Sequence, residues 1–500
     1  MEERAQCEPG QGMKQISLKK NFIMNALLAI STVVFPLITF PYIARVLNPT
    51  GVGKISFATS LIAYFTMFAQ LGIPTYGIRA CAKVRDNREE LTRTAHELLF
   101  INVIMSLISY GLLAIGIIFV PRLHEDKTLI MVVSITIILN AIGMEWLYKA
   151  MEQYTYITLR SIILKIVAVI AMFLLVRSED DYIIYGAVSI FASGASYIIN
   201  FVTVGRFIGF KPVGSYNLKR HLKVIFVFFA MSCATTVYTN LDTVMLDLMS
   251  GDEITGFYTA AVKVKVVLVA CITSLGEVLL PRVSYYVKNN MKEEFEAVSK
   301  KAMNFVIVAA APLMVYFIFY AGEAINLLSG DDFGGSVVPM QIIMPTLVFI
   351  GITNLLGIEI LVPQGREKGV LISVVIGAVV DLVLNFILIP HFGAAGAAMG
   401  TLVAEIAVFI VQTVILREIV GEVFSGISYL KILLGIAAGT ALCFWVKLLQ
   451  LGSFAALAIS AVMFFAGYFI ILIITKETLV CSLLKSVLDK GTAHLSKKRE

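Results

Sequence analysis

Residues 21–47 read NFIMNALLAISTVVFPLITFPYIARVL, and no Asp, Glu, Lys or Arg falls between Lys20 and Arg45. Wound as an α-helix at about 1.5 Å per residue, this run outreaches the roughly 30 Å hydrocarbon core of a bilayer. Runs of comparable apolar character follow at 55–77, 98–120, 128–148, 160–177, 182–205, 224–246, 256–280, 303–328, 338–362, 369–390, 396–416, 431–450 and 453–475. In lipid a backbone must satisfy its own hydrogen bonds, and these runs are continuous where barrel strands would alternate, so they are predicted as helices. The composition agrees: 58% of residues are apolar and 15% charged, against roughly 25% charged in soluble domains. The expected fold is an all-α polytopic membrane protein of about fourteen transmembrane helices, with no soluble domain of any size.

Lysine and arginine set the expected orientation. With a cytoplasmic amino terminus, the outer loops hold Arg45, Lys54, Arg122, Lys127, Arg177 and Lys447, three lysines lie inside spans, and the other 31 of the 40 basic residues face the cytoplasm. Both termini are therefore expected inside. The polar first twenty residues lack the apolar run of a signal peptide, so the first span is expected to stay as an uncleaved anchor. The two halves also resemble each other. RVLNPTGVGKISFAT (45–59) and LDLMSGDEITGFYTAA (246–261) occupy matching places, as do Tyr185-Gly186-Ala187 and Gly396-Ala397-Ala398. Two parallel six-helix repeats are the plan this suggests. The expected divisions are a cytoplasmic segment 1–20, lobes 21–212 and 213–418, two extra helices within 419–475, and a basic tail 476–500. Leu479, Val480, Leu483, Leu484, Val487 and Leu488 recur in that tail at helical spacing, which suits a segment lying on the inner membrane face.

Several function classes drop out. The basic residues sit in short loops between spans and form no nucleic-acid footprint. No phosphate loop occurs, since Gly51-Val52-Gly53-Lys54 lacks the required spacing. The five histidines are scattered, and the six cysteines (Cys7, Cys81, Cys233, Cys271, Cys443, Cys481) show no ligand spacing and are expected to be structural. No cofactor or metal is expected. The outer loops are too short to hold the donor and acceptor of a polysaccharide polymerase, so a transporter is expected rather than an enzyme.

Ionisable groups inside spans are costly and become candidates for function. They are Glu145, Lys165, Asp242, Lys263, Lys265, Glu277, Glu323, Asp381 and Glu405. Arg45 closes the first span beyond Pro36 and Pro41, and Arg160 begins the fifth. Arg45, Arg160, Lys165, Lys263 and Lys265 are the candidates for a cationic cavity that takes an anionic cargo such as a phosphate. Lys263 and Lys265 are two residues apart and so lie on nearly opposite helix faces, leaving at most one of them for the cavity. Glu145, Asp242, Asp381 and Glu405 are the candidates for cavity carboxylates or for binding a coupling ion. Prolines 36, 41, 74, 281, 312, 345 and 363 would bend helices, as rocking requires.

Several segments resemble the bacterial polysaccharide flippases of the Wzx type. They include Pro41-Tyr42-Ile43-Ala44-Arg45-Val46-Leu47 through Gly53 and Phe57-Ala58, and Leu71-Gly72-Ile73 with Tyr76-Gly77-Ile78-Arg79. Asn240-Leu241-Asp242 with Gly256-Phe257-Tyr258, Gln364-Gly365-Arg366-Glu367-Lys368, and Asn385 to Gly393 with Gly396-Ala397-Ala398 fit as well. The resemblance runs from about 18 to 475. It implies the fold of the multidrug, oligosaccharidyl-lipid and polysaccharide exporter superfamily: two six-helix lobes around a central cavity, plus two further helices. It also implies the cargo, a polyprenyl-pyrophosphate-linked oligosaccharide moved from the inner to the outer leaflet of a bacterial plasma membrane. A polymerase and chain-length machinery would be its partners, and nucleic acid would not. Rival readings are an exporter of drugs or of the cell-wall lipid precursor on the same fold and, from another class, a polymerase.

Overall fold

A computed structural model describes residues 18–449, 451–482, 484 and 485; at 18–20, 22, 275–278 and 281 the description is confined to the backbone. Cys7, most of the basic tail and the side chains of Glu277 and Pro281 lie outside the described residues. The described chain is helical throughout, without a strand. Twelve helices are long and apolar enough to cross a membrane, or thirteen if the bent pair Asp331–Ile343 and Thr346–Leu361, at 49°, is one span.

The opening run forms α1 (Leu18–Gln70), broken at Asn48, where φ is 58° and ψ 175°. The cause is local. Pro49 excludes its predecessor from the helical region, and Asn tolerates positive φ better than most residues. The Asn48 amide then donates to Glu179 Oε2 at 2.9 Å, which holds the break in place. The short α2 (Ile73–Lys83) follows, then α3 (Arg88–Phe119), α4 (Lys127–Gly143), α5 (Tyr154–Leu175) and α6 (Tyr182–Thr203). The second half repeats the plan with α7 (Lys219–Ser250), α8 (Asp252–Lys288), α9 (Lys292–Phe319), a short α10 (Ala321–Ser329), the bent pair, α11 (Glu367–Phe392) and α12 (Ala394–Ile415). Gly251, at φ 84°, makes the sharp turn between α7 and α8, a conformation L side chains resist.

The halves meet where these two breaks touch. A Cβ on Gly53 would collide with the Asp252 carbonyl and the Gly256 nitrogen, and one on Gly256 would collide with the backbone of Pro49. The same separation of 203 residues relates Pro49 to Asp252 and Gly53 to Gly256. The contact is therefore reciprocal, as across a two-fold axis. It joins the segments that the sequence shows to be alike, and only glycine lets the backbones come so near.

The face from which α1 starts, here the terminal face, is tied by Glu97 of α3. Its carboxylate accepts from Asn217 N at 2.7 Å and Arg220 Nε at 2.8 Å, and His221 Nε2 lies 2.7 Å away. His221 Nδ1 is 2.8 Å from the Tyr76 hydroxyl, so α2, α3 and α7 share one polar knot.

The last two helices, α13 (Tyr429–Phe444) and α14 (Ser453–Ile474), pack on each other through Gly435, Gly439 and Gly467. They bind α9 through Tyr316, which donates to the Leu457 carbonyl at 2.9 Å, and Tyr320, which donates to that of Cys443 at 2.7 Å. Beyond α14, fully buried Glu477 accepts from Asn304 Nδ2 and Val480 N, both at 2.8 Å. Burial would raise its pKa, but these donors prevail and hold it below the ordinary carboxylate value. Apolar side chains such as Leu107, Ile118, Phe386 and Val462 stand exposed around the flanks, where lipid tails would solvate them.

A helical Gly→Ala change ordinarily stabilises by about 1 kcal/mol. Gly111 has open space around it and should follow that rule, whereas Gly53→Ala and Gly256→Ala should each lower the thermal midpoint of the detergent-purified protein by several degrees. Midpoints that rise for all three would mean the crossing is looser than described.

Candidate functional site

Between α1, α5, α6, α7 and α8 lies a polar cavity in adjoining compartments of about 270, 510, 310 and 160 Å³. Thr59 lines three of them, and Thr32, Thr39, Ser189 and Lys263 each line at least two. Pro36, which lines three of the compartments, and Pro41, which lines only the groove described next, remove backbone donors from α1 at this level. A second, almost wholly apolar groove of about 670 Å³ runs alongside, between α1, α8, α9, α10 and α14. Leu37, Val267 and Leu328 line both, so the polar cavity and the apolar groove share a wall.

Of the five basic candidates, two reach the cavity. Lys263 lines two of its compartments, with Nζ 6.0 Å from the Phe40 ring centroid. Lys165 lines the 310 Å³ compartment, donates to Ser31 Oγ at 2.9 Å and lies 5.7 Å from the Phe35 ring centroid. The structure puts the other three elsewhere. Lys265 is turned to the opposite side of α8, near Asp381 and Glu405. The two-residue spacing had this consequence. Arg45 is a clasp rather than a cavity residue: its guanidinium donates to the carbonyls of Pro41 at 2.7 Å, Asn326 at 3.1 Å and Leu327 at 2.7 Å. It thereby ties α1 to the end of α10 on the face opposite the terminal one. Arg160 is buried at the base of α5, donates to Asn200 Oδ1 and lies 5.0 Å from the Tyr156 ring centroid, away from the cavity lining.

Three of the four carboxylate candidates come together inside the second half. Asp242 of α7 accepts from Asn385 Nδ2 at 2.7 Å, Tyr258 at 2.5 Å and Thr401 at 2.8 Å. Asp381 of α11 adjoins it, with Oδ1 buried and without a partner, and Glu405 of α12 is buried close by. Two carboxylates in contact cannot both stay ionised cheaply, so the pair needs a proton, a cation or the ammonium of Lys265. No trio of His, Cys, Asp or Glu among the described residues is arranged to hold a metal ion. Glu145 stands apart: helix geometry breaks at Met144, and Glu145 pairs with Lys149 at 2.7 Å. Glu323 is likewise a helix-end residue, 3.9 Å from Lys447.

Two charged sites escaped the sequence reading. Arg122, counted there only as an outer-loop cation, bonds Asp126 at 2.8 Å, Asp247 at 2.8 Å and Asp252, with Glu125 at 3.3 Å. Burial opposes its charge, but the carboxylates, Asp247 foremost, hold its pKa above the ordinary guanidinium value. It crosses from one half to the other beside the Gly53–Gly256 contact. Glu359 is the other. It is buried, has an unpartnered Oε2, and lies in the π-helical turn Leu355–Leu361 at the end of the bent pair. Its neighbours in sequence are Ile358 and Ile360, so only its being a carboxylate inside an apolar run could have flagged it.

Known proteins are similar to this chain in sequence and in fold. A protein of Escherichia coli strain K12 named for O-antigen transport is 24% identical over 407 residues, covering 81% of this chain and 98% of its own. The capsular polysaccharide biosynthesis protein CapF of Staphylococcus aureus is 24% identical over 407 residues, covering 78% and 96%. Among solved structures, the lipid II flippase MurJ in an inward closed conformation superposes with a TM-score of 0.71 at 18% identity, covering 92% of this chain and 100% of that one. An outward-facing multidrug resistance MATE family transporter of the MOP superfamily does so at 0.52 with 14% identity, covering 80% and 96%. The fold is thus that of MurJ and the MATE transporters. The family model described as polysaccharide biosynthesis protein matches residues 18–287, more than half of the chain, and the chain belongs to that family.

Proposed function

We propose that this protein is a flippase, moving a polyprenyl-pyrophosphate-linked oligosaccharide from the inner to the outer leaflet of a bacterial plasma membrane for surface polysaccharide assembly. The observation that carries the reading is the shared wall: a cavity lined by hydroxyls and Lys263 adjoins an apolar groove through Leu37, Val267 and Leu328. An amphiphile has those two parts. Its sugar and pyrophosphate would occupy the polar cavity, with the phosphate at Lys263 and Lys165, while the lipid tail runs along the groove and out into the bilayer. Names of relatives in O-antigen and capsule pathways support the same cargo class. A drug exporter for cations would want carboxylates on the cavity wall, and the described lining has none.

The mechanism we propose is alternating access between lobes 21–212 and 213–418, with α13 and α14 outside them. Counting the two sides of Asn48 as separate crossings and the bent pair as one brings the spans to fourteen, with both termini cytoplasmic. In that orientation, Arg45 and the Arg122 cluster lie on the outer face and hold the lobes together there. Opening outward would exchange these bonds for water. Asp242, Asp381 and Glu405 are positioned to couple this rocking to a proton or a monovalent cation, since the charge of the cluster changes with its occupant. A polymerase and chain-length machinery would use the product.

Cells lacking the protein should lose surface glycan and accumulate lipid-linked oligosaccharide on the inner leaflet; single units appearing normally on the outer leaflet would refute flipping. In proteoliposomes, Lys263→Ala should cut transport about 10- to 100-fold, the worth of one hydrogen bond to a charged group. Arg45→Ala should impair it less, by weakening closure, and membrane insertion should persist in both. Unchanged transport by Lys263→Ala would remove the phosphate role. Asp242→Asn and Asp381→Asn should abolish the response to an imposed proton or sodium gradient. A response kept in both would make the cluster purely structural.

A further inference from the structure

We infer that the oligosaccharide this protein carries is built of uncharged sugars rich in hydroxyl and amide groups, and that acidic sugars are selected against. The inference rests on the flippase reading and deepens it. It comes from which hydrogen-bonding faces the cavity wall has left to offer.

Along the described lining, Lys263 and Lys165 are the only charged side chains. Both stand against α1, by Ser31 and Phe35 and by Phe40, and in the flippase reading the pyrophosphate is the anion that draws on them. The widest compartment, about 510 Å³, has no charged side chain at all and carries Gln70, Asn240 and several hydroxyls. Asp242, the nearest carboxylate behind the wall, is screened by Tyr258, which lines the cavity and donates its proton to that carboxylate.

Five of the lining hydroxyls are also directional. Thr32, Thr39, Thr59, Ser193 and Thr259 each donate to a backbone carbonyl three or four residues earlier, at 2.6, 3.0, 2.8, 3.2 and 2.8 Å. With its proton spent inside the helix, each presents oxygen lone pairs to the cavity and acts there as an acceptor. Sugar hydroxyls and acetamido N–H groups are donors and fit such a wall. In the widest compartment an ionised carboxylate, which can only accept, finds no counter-charge, while a free amine finds no anion and faces two lysines.

The test uses the full-length protein in proteoliposomes and two synthetic lipid pyrophosphates with the same short polyprenyl tail. One carries a trisaccharide of neutral hexoses and N-acetylhexosamine; in the other, two of the sugars are hexuronic acids. The neutral probe should bind and cross at least about tenfold better, a modest discrimination for two uncompensated charges. Thr236→Lys or Gln70→Lys, each placing a cation in the widest compartment, should shift the ratio toward the acidic probe by about fivefold or more. Equal handling of the two probes by the wild-type protein would overturn the inference and leave the flippase reading standing. Failure to bind either probe by folded protein would take down both.

Discussion

Everything else in this molecule hangs on a backbone contact between two helix breaks. Gly53 lies on the Asp252 carbonyl and Gly256 on Pro49, so the start of the second crossing in one half meets its counterpart in the other. Lipid gives no hydrophobic push toward helix association, which leaves close van der Waals packing as the main attraction. A methyl group at either glycine would wedge the halves apart.

Charge is concentrated around the same crossing. Arg122 gathers carboxylates from both halves, and Arg45 reaches three carbonyls from the end of the first crossing. A guanidinium with several directed donors holds such a seam better than an ammonium could, because each bond constrains orientation as well as distance. Buried ion pairs of this sort add little net stability against an apolar alternative. In the proposed mechanism they are broken at modest cost when water reaches them, which suits a seam that would part and re-form.

The division of labour inside the two halves is unequal. The first half, with α7 and the near face of α8, supplies the hydroxyl-lined chamber, while the second half encloses Asp242, Asp381 and Glu405 among Asn385, Thr401 and Tyr258. Tyr258 belongs to both, with its ring at the cavity and its hydroxyl on Asp242. It is the physical link through which the state of the carboxylates could be felt at the cargo.

Hydropathy alone determined that the chain is a helical membrane protein, because no other structure satisfies the backbone of uncharged runs such as 21–44 in lipid. The separate runs 21–47 and 55–77, and the likeness of 45–59 to 246–261, were legible there too. The unequal fates of Lys263 and Lys265 followed from helical phase. Asp242, Asp381 and Glu405 could be named one by one as costly intramembrane charges, but residues on three helices have no phase relation in sequence, and only tertiary packing made them a cluster. The same holds for Arg45 and Arg160, whose type suited a phosphate but whose helix ends carried them to a carbonyl clasp and to Asn200. Arg122 and Glu359 were missed for different reasons: one looked like an ordinary loop cation until Asp247 and Asp252 came across from the other half, and the other is a lone carboxylate in an apolar run that was passed over, although its being charged there was a signal. Long-range electrostatics and burial are properties of the assembled bundle, so the sequence could say which residues were expensive to bury, and only the fold decided what they were buried against.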